Sequence, residues 1–140
     1  MSAAEVIQMV ALEQDPEAPA LISEGDYQAI YKTHKGVSVF GTAKLCVWMR
    51  ILEHPDIVLQ RWYRIQDYRG GRVRAGQHSD LVRELSAVLD RRVRPDRIPI
   101  TSLADKIVRV SVSTVMRDGS QNELAKVNRY SVISKLIGAA

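Results

Sequence analysis

The chain has 140 residues, 46% of them hydrophobic and 26% charged, the size and make-up of one globular domain with a single core. Its net charge of +4 hides an uneven layout: six acids (Glu5, Glu13, Asp15, Glu17, Glu24, Asp26) precede the first cation, Lys32, and from there on 20 basic residues face 10 acidic ones. Wholesale disorder is excluded by the apolar content. No apolar run approaches a membrane span, and no Lys or Arg opens the chain as in a secretory leader, so a soluble cytoplasmic protein is expected. Lone Cys46 permits no intramolecular disulfide, and no Cys-His spacing suits zinc.

In chain order, residues 3–14 have the spacing of one weak amphipathic helix, and the proline-bearing acidic run to residue 20 reads as linker, so the domain is expected over 21–140 behind a flexible acidic tail of 1–20. Ser23-Glu24-Gly25 makes a turn, and Asp26 to Lys35 reads as a strand with Tyr27, Ala29, Tyr31 and Thr33 on one face. Gly36 to Ala43 is expected to be a flexible hairpin loop exposing Phe40. Lys44 to Leu52 alternates, with Leu45, Val47, Met49 and Ile51 on one side and Lys44, Cys46, Trp48 and Arg50 on the other. After the His54-Pro55-Asp56 turn, Ile57 to Ile65 reads as a third, antiparallel strand.

Asp67 to Gln77 is expected to be a basic, glycine-rich loop. Ser79 is placed to cap a helix over residues 80–90, with Leu81, Val82, Leu85, Val88 and Leu89 at helical spacing. Asp90 to Pro99 is a second basic connector. Lys106 to Val115 alternates again, Met116 to Lys126 is a loop with an Asp118-Gly119 turn, and Asn128 to Leu136 closes as a strand.

Three strands, a helix and two strands are the element order of the OB-fold, a five-stranded Greek-key barrel whose second and third strands bind oligonucleotides. The residues carry a narrower resemblance. LISEGDYQAIYKTHKG, KLCVWMRIL, HSDLVREL, IPITSLADKIVRVSV and RYSVISKLI together resemble single-stranded-DNA-binding proteins of bacteriophages and mobile elements over residues 21–137, with Ser23 and Ala104 standing where the pattern has Pro and Gly. That resemblance implies an OB barrel in a bacterial cell, coating transient single strands in replication or recombination and working beside proteins of those processes.

Binding single strands without sequence preference takes cations for the phosphates and aromatic faces for the bases. Lys44, Trp48 and Arg50 interleave the two on one face of strand two. Arg61-Trp62-Tyr63-Arg64 offers one aromatic and one Arg to each face of strand three. Ile57 and Leu59 inside would turn Trp62 and Arg64 out, and Val58 inside would expose Arg61 and Tyr63. Arg69, Arg72 and Arg74 sit beside two glycines in a basic loop, and Phe40 is a further stacking candidate. Arg91, Arg92, Arg94 and Arg97 form another cluster, which also suits the negative end of the preceding helix.

No cofactor site, nucleophile elbow, phosphate-binding glycine loop or histidine pair at ligand spacing appears, so no enzyme is expected. The expected ligand is single-stranded DNA, or RNA by the same contacts, bound by a homo-oligomer. The alternative is the same barrel used as a protein–protein interaction module without a nucleic-acid ligand. The acidic head either competes for the basic face, recruits a basic partner, or merely keeps the chain soluble.

Overall fold

The computed structural model describes residues 20–116, 123 and 129–140. The helix expected over 3–14 and the turn at Asp118-Gly119 lie outside them. Among the described residues there are seven strands, one α-helix and one 3-10 helix: β1 (Gly25–Val39), β2 (Thr42–Ile51), β3 (Val58–Arg64), β4 (Asp67–Arg69), β5 (Arg72–Arg74), α1 (Asp80–Leu89), a 3-10 helix (Ile100–Asp105), β6 (Ile107–Val115) and β7 (Tyr130–Ala139). Five of the strands make one antiparallel sheet in the order β3-β2-β1-β6-β7, and β4 and β5 form a separate ribbon. No helix among the described residues is long and apolar enough to cross a membrane.

β1 is longer than its sequence pattern suggests and changes partner midway. It pairs with β6 through Gly25–Ile30 and with β2 through Ala29–Val39. A bulge between Tyr31 and Thr33 marks the handover, and the extra residue reverses the alternation beyond it. Thr33 therefore lies opposite Trp48, away from the face that Ala29 and Tyr31 occupy, which corrects the four-residue face expected from the sequence.

The stretch expected to be a loop after Gly36 is mostly strand. It turns only at Phe40-Gly41, both with positive φ (50° and 75°), the geometry of a tight hairpin whose twist matches its strands. The basic loop at 67–77 is likewise a hairpin, turning at Gly70-Gly71 with φ 57° and 78°. Its Tyr68 ring lies against the Gly36 backbone, where a Cβ would fall 2.3 Å from Tyr68 Cγ.

The core is built as the alternation of β2 dictates. Leu45, Val47, Met49 and Ile51 are fully buried together with Val108, Val110, Ile133 and Leu136 of the opposite strands and Leu81, Leu85 and Val88 of α1. Ser79 caps α1 by accepting from the Val82 amide at 3.3 Å.

The sheet curls until its edge strands β3 and β7 come within 8 Å Cα to Cα, with α1 packed against both. It does not close into the expected barrel. On the helix face between Leu81 and Leu85 stands Glu84, 6% exposed. Its Oε1 accepts from the Leu136 amide of β7 at 2.7 Å and from the Tyr63 hydroxyl of β3 at 2.8 Å. Oε2 takes Arg61 Nη2 at 2.5 Å and Oε1 takes Arg61 Nε at 3.2 Å. A helix carboxylate thus accepts a β7 amide proton that a closing strand would otherwise take.

Candidate nucleic-acid interface

Because Leu45 to Ile51 fill the core, the alternate residues of β2 project from the far side of the sheet. The register with β1 and β3 arranges that outer face in rows. Lys44 stands between Val37 and Arg64, Cys46 between Lys35 and Trp62, Trp48 between Thr33 and Gln60, and Arg50 between Ile30 and Val58. Lys44 to Arg50 spans about 20 Å at ~3.3 Å per residue.

Strand three takes the first of its two sequence-compatible registers. Leu59, Arg61 and Tyr63 point inward, and Gln60, Trp62 and Arg64 outward. Arg61 and Tyr63, both candidates from sequence, are therefore corrected to interior positions. The Arg61 side chain is 13% exposed and paired with Glu84, and its guanidinium lies 4.2 Å from the centroid of the Tyr63 ring. Burial, reinforced by the field of Glu84, pushes the Tyr63 phenol well above its ordinary pKa. Burial opposes the Arg61 charge, but its bond to Glu84 and the fields of Tyr63 and Glu84 outweigh that and raise its pKa. Both groups are bonded to Glu84 inside the fold.

Trp48 projects outward as expected but is only 4% exposed, which corrects the open stacking platform read from sequence. It is packed with Cys46, Val58 and Trp62 in a small apolar cluster on the outer face. Its buried Nε1–H meets no acceptor among the described residues, a deficit of the kind that costs about 1–3 kcal/mol. Burial also pushes the Cys46 thiol far above its usual pKa, leaving it an inert hydrophobe. Trp62 is half-buried, and its indole N–H donates to Gln60 Oε1 at 3.1 Å, holding the ring along its own strand.

Lys44 and Arg64 face each other directly across β2 and β3, and neither has an acidic partner among the described residues. Like charges so placed repel, which destabilises a sheet unless an anion intervenes. Arg50 is exposed, with one long contact from Nη1 to the Pro55 carbonyl at 3.4 Å. Phe40, at the tip of the hairpin beside this row, is 83% exposed and sits at φ 50°, where a bulky side chain is strained. The acids of this part of the sheet gather at the other end: Glu53 accepts the Gln28 amide with both oxygens at 3.0 Å, and Asp56 lies in the same β2–β3 turn.

The remaining candidates lie on the β4–β5 ribbon. Arg69 is exposed without an acidic partner among the described residues. Arg74 pairs with Asp67 at 3.1 Å, and Arg72 donates to the Asp96 carbonyl at 2.9 Å. The structure brings Lys44, Arg50, Trp62 and Arg64 together on one face and separates Arg61, Tyr63, Arg72 and Arg74 from it. Glu84 was missed, although a charge at the helical spacing of Leu81, Leu85 and Val88 signals a buried partner. No cluster of His, Cys, Asp and Glu able to hold a metal ion occurs among the described residues. Comparison with protein-family models, curated proteins and solved structures gives no match to this chain.

Proposed function

We propose that the chain binds single-stranded DNA without sequence preference, through the outer face of β2 and β3, on an OB-like fold. The sheet order supports the fold reading: with the ribbon set aside, β3-β2-β1-β6-β7 and the helix after β3 follow the connectivity of a Greek-key barrel opened at its last seam. The observation that carries the function is the Lys44–Arg64 pair, without an acidic partner among the described residues, beside the half-buried Trp62. A phosphate between the two cations relieves their repulsion, and a base stacked on Trp62 adds roughly 1–3 kcal/mol. Phe40 at the hairpin tip extends the stacking surface, and Arg50 guides the backbone at the opposite end.

The work that fits is the coating of transient single strands in replication or recombination of a phage or mobile element. Association of copies of the chain belongs to the same proposal: among the described residues β3 and β7 are the edge strands of the five-stranded sheet, and edge strands are where chains pair. Labelled oligo(dT) in a salt titration tests the reading. Nanomolar-to-micromolar binding that weakens with a log-log slope of about −0.7 per phosphate contact is expected. Absence of binding at low salt, with Trp62 answering only to dilution or to another protein, would instead favour a protein–protein interaction module.

A further inference from the structure

Two arginine clusters that the sequence keeps apart meet in the fold. The connector after α1 runs beside β5 almost as a third strand of the ribbon: Ile98 donates its amide to the Val73 carbonyl at 3.0 Å, and Ala75 donates to Pro95 at 3.0 Å. Val73, Val93 and Ile98 are buried beneath and fix the two segments to the core. The lobe so formed, residues 67–74 with 90–98, carries seven arginines and three aspartates.

The aspartates do not neutralise it. Asp96 braces Arg94 through contacts of 2.7 and 3.1 Å and reaches Arg72 at 3.7 Å, and Asp67 takes Arg74. Arg69, Arg91, Arg92 and Arg97 remain exposed with no acidic partner among the described residues. The lobe also lacks a stacking platform, because its one aromatic ring, Tyr68, is turned onto Gly36 and His34. A surface of guanidinium groups without an aromatic face recognises phosphates and is blind to bases.

We infer that this lobe is a second polynucleotide surface, which grips the sugar-phosphate backbone whether or not the bases are paired. It goes beyond the proposed role of the β2–β3 face, since it gives the chain a hold on duplex DNA flanking a single-stranded segment. Its ligand class is a double-helical or single-stranded polynucleotide backbone, and its contacts do not depend on Trp62.

The experiment uses the full chain and a blunt, labelled 20-base-pair duplex in a salt titration, with oligo(dT) quenching of tryptophan fluorescence recorded in parallel. The wild type is expected to bind the duplex at low salt. The triple variant Arg91→Ala, Arg92→Ala, Arg97→Ala is expected to lose at least tenfold in duplex affinity at ~50 mM salt, and its log-log slope to become shallower by about 2.7, at ~0.9 per lost contact. The corresponding triple Lys variant keeps most of the affinity, and Trp62→Ala leaves duplex binding unchanged. No duplex binding by the wild type, or an unchanged affinity and slope in the triple Ala variant, overturns the inference. Failure of the β2–β3 reading looks different: duplex binding that depends on these arginines, with no quenching by oligo(dT).

Discussion

Four consecutive residues of β3 meet opposite fates. Arg61 and Tyr63 turn inward, where Glu84 satisfies both and links them to the Leu136 amide across the seam of the sheet. Trp62 and Arg64 turn outward, where the ring is half covered and the cation faces Lys44 with no acid between them. The same residue types are therefore drawn into the core on one side of a strand, while on the other the ring bonds only along its own strand and the cation has no acidic partner among the described residues. Charge that the fold uses for itself is paired within the fold, whereas Arg64 and Lys44 face each other with no acidic partner among the described residues, which is the feature the proposed function rests on.

The largest effect is expected on the inward side. Glu84→Ala removes the acceptor of four hydrogen bonds from three residues and leaves Arg61 buried without a counter-charge, so urea denaturation should register a loss of about 3–5 kcal/mol. An unchanged urea midpoint would break that half of the comparison. Next comes the contact that seats the ribbon. Gly36→Ala places a Cβ against the base of the Tyr68 ring rather than its mobile end, and a loss of about 1–3 kcal/mol is expected. Combining it with Tyr68→Ala should recover part of the loss in a double-mutant cycle; strict additivity would show that the two do not touch.

On the outward side stability and binding should separate. Arg64→Glu exchanges a repulsive cross-strand pair for an attractive one, so the folding free energy should hold or rise by a few tenths of a kcal/mol. Oligo(dT) affinity should meanwhile fall about tenfold, ~1.4 kcal/mol. A variant that loses stability but keeps its affinity would reverse the roles assigned to the two faces.

The smallest effect concerns pH. Burial lowers the pKa of His34, whose Nδ1 lies 2.6 Å from the Tyr31 hydroxyl. The unfolded chain then takes up a proton near the ordinary value of 6.5, before the folded one does. Stability is full above that pH and declines as the pH falls below it toward the lowered folded value. Urea midpoints between pH 7.5 and 5 should show this decline, and His34→Gln should flatten it; an identical slope in the variant would remove His34 as the cause.

What could be read in advance follows the physics of each element. β2 declared itself because Leu45, Val47, Met49 and Ile51 alternate without interruption, and α1 because Ser79 and the leucine spacing agree. Strand three stayed ambiguous because both of its faces carry the same residue types; only pairing with β2 and the distant Glu84 selects the register. The bulge at Lys32 has no local signature, so the reversal that carries Thr33 to the outer face was hidden. The glycine pair at 70–71 was legible as flexible, yet what makes the ribbon is a tight turn, with Tyr68 seated on a glycine more than thirty residues earlier. Trp48 was assigned to the correct face, but its burial depends on packing with Cys46, Val58 and Trp62, which side-chain parity cannot convey.

Tryptophan fluorescence separates the two indoles most directly. In a Trp48→Phe variant all emission comes from Trp62 on the outer face, and in Trp62→Phe it comes from the covered Trp48. Titrating oligo(dT) at low salt should quench the first strongly and saturably and the second weakly. Quenching confined to Trp48, or none in either variant while the protein remains folded, would contradict the assignment of single-strand binding to this face.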